Sequence, residues 1–194
     1  HIMSTAYVLV EYDGDQVLPI TGELITAAKV FESVTAVVVG PAGAHEPLVP
    51  QLAALGADAI VAAVGADTAQ RVVLPATDAL SMLAAGAPGP ILVGAGVTGN
   101  EIAGRLAARL ASGVLCDVVQ VNSDLTALMS IFGDAIEVST AVGGSSPIYT
   151  MRHGATEVPA EPTPGAGVVS TFELPAASEK DVTVTKFVPA VKGD

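Results

Sequence analysis

The chain opens with a run of apolar positions, residues 6–12, rich in valine and stopped by Asp13-Gly14. An apolar run closed by a turn pair predicts a buried strand followed by a turn. Residues 16–20 read as a short connector. From Thr21 the spacing changes, and Leu24, Ala27, Ala28 and Phe31 recur at the helical period. The alternation then repeats. Residues 34–39 predict a second strand closed by Gly40-Pro41, and Leu48, Leu52 and Leu55 predict a second helix that Gly56 ends. Residues 59–64 predict a third strand, Asp67 with Gln70 caps a short turn of helix, and Pro75 is the first residue of a longer helix running to Gly86. Residues 90–93 predict a fourth strand. Thr98 and Glu101 then form a capping box for a helix whose buried stripe is Ile102, Leu106 and Leu110. On another face of that helix Glu101, Arg105 and Arg109 lie four apart, a charge ladder. Residues 114–121 predict a fifth strand.

Strands alternating with helices in this way predict an α/β layer structure with a parallel sheet and helices on both faces. The style changes after Asn122. Residues 128–132, 137–142 and 147–151 are short β-prone runs separated by Gly133-Asp134 and Gly143-Gly144, which predicts antiparallel strands appended to the sheet. Beyond His153 the chain is rich in Pro and Gly, with β-prone islands at 168–174 and 182–188. The expected organisation is a leader at 1–3, an α/β domain at 4–153, and an extended tail at 154–194 that adds one or two strands. His1-Ile2-Met3 has no basic or apolar stretch behind it and reads as a cloning remnant, not a signal peptide.

Composition narrows the function classes. Eight basic against 20 acidic residues give a net charge of −12, so the clustered cations that nucleic-acid binding needs are missing. Hydrophobic residues are 51% and aromatic residues 4%, so the core must be built from Ala, Val, Leu and Ile. Residues 79–100 carry no charge, yet Gly86, Pro88, Gly89, Pro90, Gly94 and Gly96 interrupt them, so no membrane insertion is expected. Cys116 is the one cysteine, which excludes an internal disulfide and fits a reducing compartment.

The candidate chemistry is thin. Gly94-Ala95-Gly96-Val97-Thr98-Gly99 spells GxGxxG between a strand and a helix, the turn that dinucleotide sites use. It follows the fourth strand instead of the first. The acid that should end the next strand is absent, since Asp117 stands near that strand's start. The motif therefore reads as a tight strand-to-helix turn. Glu11, Asp13 and Asp15 cluster after the first strand, where carboxylates hold divalent cations, but as solvated turn residues they need no metal. His45 and His153 stand alone, so no zinc set exists. There is no Gly-x-Ser-x-Gly elbow, and Cys116 in Val114-Leu115-Cys116 reads as a small packed hydrophobe. Ser145-Ser146 before Pro147 is turn composition, and Arg152-His153 before Gly154 reads as a surface strand end instead of an anion site. No catalytic, cofactor-binding or metal residue is assigned.

Several stretches taken in register resemble one family. They are Val8-Leu9-Val10-Glu11-Tyr12-Asp13-Gly14, Thr21-Gly22-Glu23-Leu24-Ile25-Thr26-Ala27-Ala28-Lys29 and the Gly56-Ala57-Asp58 step. Next come Val97-Thr98-Gly99-Asn100-Glu101-Ile102-Ala103-Gly104-Arg105-Leu106-Ala107-Ala108-Arg109-Leu110 and Gly113-Val114-Leu115-Cys116-Asp117-Val118. Thr150-Met151-Arg152-His153-Gly154 closes the set. Together they resemble the N-terminal domain of the electron-transfer flavoprotein alpha subunit. Two departures stand out. Met129-Ser130-Ile131-Phe132-Gly133-Asp134-Ala135 replaces an Arg-Pro-x-Tyr-Gly-Gly-Asn-like stretch, and His153 replaces a usual proline.

The resemblance implies a three-layer Rossmann-like (adenine-nucleotide alpha-hydrolase-like) fold and an electron carrier, not an enzyme. It implies a heterodimer with the electron-transfer flavoprotein beta subunit. That dimer would take electrons from primary dehydrogenases, such as the acyl-CoA dehydrogenases of fatty acid β-oxidation, to a quinone oxidoreductase, in the bacterial cytoplasm. FAD is implied for the full-length parent, held by a C-terminal domain beyond Asp194, with none expected in this chain. The alternative is a free-standing adenine-nucleotide-binding module of the universal-stress-protein type.

Overall fold

Period-two alternation in the buried strands decides which side of the sheet each residue serves. In the computed structural model, which describes residues 5–65, 73–139, 144 and 146–175, Ala6 and Val8 of β1 (Thr5–Leu9) face one core while Tyr7 and Leu9 face the other. The first core is closed by Ile20, Leu24 and Ile25 of α1 (Pro19–Ala28) and Leu52 of α2 (Val49–Leu55). The second is closed by Ala76, Ala79 and Leu80 of α3 (Val73–Gly86) and Ile102 and Leu106 of α4 (Val97–Leu110). Alanine at so many contact positions lets these helices lie close on the sheet.

The central sheet contains, among the described residues, nine strands. In addition to β1 they are β4 (Ser33–Gly40), β5 (Ala59–Val64), β6 (Ile91–Gly94), β7 (Val114–Val121), β8 (Ala127–Ile131), β9 (Asp134–Val138), β10 (Ile148–Met151) and β11 (Val168–Glu173). Their spatial order is β11-β5-β4-β1-β6-β10-β7-β8-β9, parallel from β11 through β7 and antiparallel for β8 and β9. A small separate hairpin of β2 (Tyr12–Asp13) and β3 (Gln16–Val17) fills the connector before α1. The Gly56-Ala57-Asp58 step has a local reason, because the Asp58 carboxylate accepts from Val34 N at 2.9 Å and so locks β4 to the entry of β5.

Four expectations need correction. The run at 147–151 is no appended hairpin strand. β10 inserts between β6 and β7 and runs parallel to both, because all four of its residues are buried and only a central position covers both faces. The Thr98–Glu101 capping box does not form. Gly96 is the N-cap and no side chain caps the helix, which places Thr98 inside the first turn, where its hydroxyl no longer stands before the free amides. Within the ladder, Arg105 does reach Glu101 at 3.0 Å, but Arg109 turns to Asp78, since α3 packs alongside and offers a carboxylate. Finally, Cys116 is exposed instead of packed, because β8 joins β7 only from Val118 onward. The Asp67–Gln70 turn and the 182–188 run lie outside the described residues.

The tail is tied down from the start. Glu23 on α1 accepts from Gly154 N at 2.9 Å and Thr156 N at 3.4 Å. Further along, Gly165 N donates to the Ala53 carbonyl at 2.8 Å and Gly167 N to the Ala57 carbonyl at 3.0 Å. The segment thus crosses the α1–α2 side and returns to the sheet as the edge strand β11.

Candidate functional site

From β1 the chain moves first to β4 and β5 on one side, then to β6 on the other. The crevice beyond the carboxyl ends of β1 and β6 is therefore the switch point where open α/β sheets take ligands. A cleft of about 610 Å³ opens there. Val10, Tyr12, Val39 and Pro41 form one wall, and the Gly94–Gly99 turn with Ile102 forms the other. Tyr12 is fixed by its hydroxyl, which donates to the Val39 carbonyl at 2.8 Å, and burial pushes that phenol upward from its ordinary value.

The GxGxxG turn has structural reasons for its glycines. Gly96 adopts φ +142°, a region L side chains rarely enter. A Cβ on Gly99 would overlap the Gly94 carbonyl oxygen, so this glycine sets how closely α4 approaches β6. The start of α4 thus carries backbone donors with no side-chain cap, the usual setting for an anion.

Two titratable groups stand beside it. Glu11 is held by α1, where Thr21 Oγ1 accepts from Glu11 N at 2.8 Å and donates to Glu11 O at 3.0 Å. Among the described residues its carboxylate has no hydrogen bond or ion pair, and its Oε2 lies 2.6 Å from where a Cβ on Gly94 would sit. His153, just after β10, donates from Nε2 to the Ala95 carbonyl at 3.0 Å. A carboxylate lining the same cleft as the helix start opposes a bound phosphate, so the cleft is a poor dinucleotide site even though the turn is formed.

The other candidates scatter. Asp13 and Asp15 are exposed in the β2–β3 turn, and Glu11 does not join them. Among the described residues no group of three or more His, Cys, Asp or Glu is placed to hold a metal ion. Ser146 Oγ accepts from Gly89 N at 3.0 Å, a structural contact. Arg152 is spoken for by Asp117, with Nη2 to Oδ2 at 2.7 Å and Nε to Oδ1 at 3.3 Å. The hydrogen bond from Arg152, more than its charge, holds the Asp117 carboxyl below its ordinary value of 3.8. Sequence reasoning did not find this pair. Its signal, an acid in a strand where the backbone turns left-handed (φ +59°), is invisible before the bulge between β7 and β10 is seen.

The electron transfer flavoprotein domain matches residues 6–177. The chain is 40% identical over 190 residues to the electron transfer flavoprotein subunit alpha of Mycobacterium leprae (strain TN), covering 97% of this chain and 59% of that protein. It is 43% identical over 178 residues to the protein of the same name from Mycobacterium tuberculosis (strain ATCC 25618 / H37Rv), covering 91% and 55%. A third relative, of the same name from Syntrophomonas wolfei, is 31% identical over 205 residues, covering 97% and 60%. The chain thus spans between 55% and 60% of the length of these relatives.

Proposed function

The chain belongs to the electron transfer flavoprotein family, and from that premise we propose that it is the scaffold part of an alpha subunit. With a beta subunit, the parent protein passes electrons from primary dehydrogenases, such as acyl-CoA dehydrogenases, toward the respiratory chain. The carrying observation is the family match over 6–177 combined with relatives that extend well past this chain. In this reading residues 4–153 are the α/β body, and 154–194 lead to a further domain that holds FAD. The body serves as a fixed base, and the protein carries electrons without performing catalysis of its own, in the cytoplasm of a bacterium.

The polar side chains lining the cleft are Glu11, Tyr12, Thr98 and His153, and among the described residues no helix is long and apolar enough to cross a membrane. The strands under the cleft are buried on both faces, which gives a stiff platform. A direct test combines the full-length parent, its beta partner and an acyl-CoA dehydrogenase with substrate. Loss of the oxidised flavin absorbance is expected; an unchanged spectrum with every dehydrogenase tried contradicts the proposal.

The adenine-nucleotide module is the second reading. The formed Gly94–Gly99 turn favours it, and the Glu11 carboxylate beside that turn opposes it. Calorimetry with ATP and AMP separates the two, and no heat of binding is expected.

A further inference from the structure

Gly94 ends β6 without a side chain, and three other residues converge on the space this leaves. A Cβ built there would lie 2.6 Å from Glu11 Oε2, 3.0 Å from Ile20 Cγ1 and 3.3 Å from His153 Nε2. The glycine is thus the seat of the Glu11 carboxylate, beside an apolar neighbour and an imidazole. The wholly buried Thr21 bonds both the N–H and the carbonyl of Glu11, so the side chain starts from an anchored root. His153 gives its Nε2 proton to the Ala95 carbonyl instead of to this carboxylate. Among the described residues no donor reaches it.

The surroundings decide what kind of counter-charge fits. The cleft of about 610 Å³ has the size of a small-molecule site, and Leu9, Leu18, Val39, Val93 and Ile102 make much of its wall apolar. Tyr12 has given its hydroxyl proton to the Val39 carbonyl, so it meets a ligand as an aromatic surface. A carboxylate flanked by apolar walls and left unpaired favours a cationic partner. A bare divalent ion is a poor one, because it wants about six oxygen ligands. Among the described residues no group of three or more His, Cys, Asp or Glu is placed to supply them. An organic cation answers both needs, since its body covers the walls while its N–H groups meet the carboxylate.

We propose that this cleft binds a small organic cation, an amine or amidine on an apolar or aromatic body. The Glu11 carboxylate accepts its N–H groups, and Tyr12 and Ile102 contact the body. The rival group in the same cleft is the uncapped start of α4, which draws anions. The two make opposite demands on a ligand's charge.

The test titrates three probes of one shape against the ¹⁵N-labelled chain: phenethylamine, phenethyl alcohol and hydrocinnamate, whose heads are positive, neutral and negative. Near-physiological salt is used, where the Debye length is about 8 Å and diffuse attraction to a chain of net charge −12 is damped. The amine is expected to bind about tenfold or more tightly than the alcohol, and hydrocinnamate most weakly. Amide shifts are expected to centre on 10–12 and 94–99. Glu11→Gln keeps the shape of the side chain and is expected to bring the amine down to the alcohol. Asp15→Asn removes an equal charge from the exposed β2–β3 turn and should leave the amine's affinity within about twofold. Gly94→Ala keeps the Glu11 charge but fills its seat, and is expected to weaken the amine more than the alcohol. Equal weakening by Glu11→Gln and Asp15→Asn would reveal attraction to the acidic surface as a whole and overturn the site. Tightest binding by hydrocinnamate would assign the cleft to the α4 amides and overturn it as well. Equal affinity for amine and alcohol, or no shift with any probe at millimolar concentration, overturns it outright.

Discussion

Tyr149, fully buried at the centre of the sheet, donates its hydroxyl to the Leu125 carbonyl at 2.7 Å. The bond ties β10 to the turn between β7 and β8, where Leu125 is held at φ +75°. Burial raises the phenol's pKa far above its ordinary value, and the nearby Asp124 charge adds to the effect. The hydroxyl therefore remains a donor across any working pH.

Replacing Tyr149 with Phe removes that donor and leaves the Leu125 carbonyl without it. The expected loss is about 1–3 kcal/mol of unfolding free energy. Urea denaturation measures it, with the slope unchanged if the native and unfolded states keep their extents. A loss below a few tenths of a kcal/mol would show that the turn is held by something else.

Two glycines of α4 should respond in opposite directions. Gly99→Ala places a methyl group on the Gly94 carbonyl, and a backbone atom cannot yield cheaply, so a loss of about 3 kcal/mol or more is expected. Gly104 has nothing within 4 Å of an added Cβ and lies inside the same helix. Gly104→Ala should therefore stabilise by about 0.5–1 kcal/mol. Thermal melts of both variants check the pair, and equal shifts would contradict the close α4–β6 packing.

Most of the fold was legible because buried parallel strands write themselves as unbroken apolar runs. The predicted 59–64 and 114–121 are β5 and β7 to the residue. Residues 147–151 share that apolar character, but the glycine pair before them suggested a hairpin. Which neighbours a strand chooses is a long-range matter that its own residues do not encode. The capping box failed for a related reason. Thr98 and Glu101 have the right spacing, yet the close approach at Gly99 and the φ of Gly96 start the helix before Thr98 can cap it. The GxGxxG turn was read correctly as a strand-to-helix connection, while the charge of Glu11 beside it became visible only in three dimensions.

The Asp117–Arg152 pair gives a pH-dependent prediction. Because the native carboxyl titrates below 3.8, its contribution is complete above that value and fades as pH falls through the depressed native value. Asparagine tolerates the left-handed backbone, so Asp117→Asn removes charge without adding strain. The variant should melt slightly below the unmodified protein near neutral pH, and the gap should close under acid. Both partners are nearly half exposed, so the gap is small and salt narrows it. A gap that widens as pH drops would contradict the pairing.

The central claim is that this chain is a base whose parent carries the flavin elsewhere. Its most direct test is flavin content. The chain and the full-length parent are each refolded with excess FAD and the partner subunit, dialysed exhaustively, and read by visible absorbance after denaturation. The account predicts close to one flavin per parent and none per chain of residues 1–194. A stoichiometric flavin retained by the shorter chain on its own would contradict it.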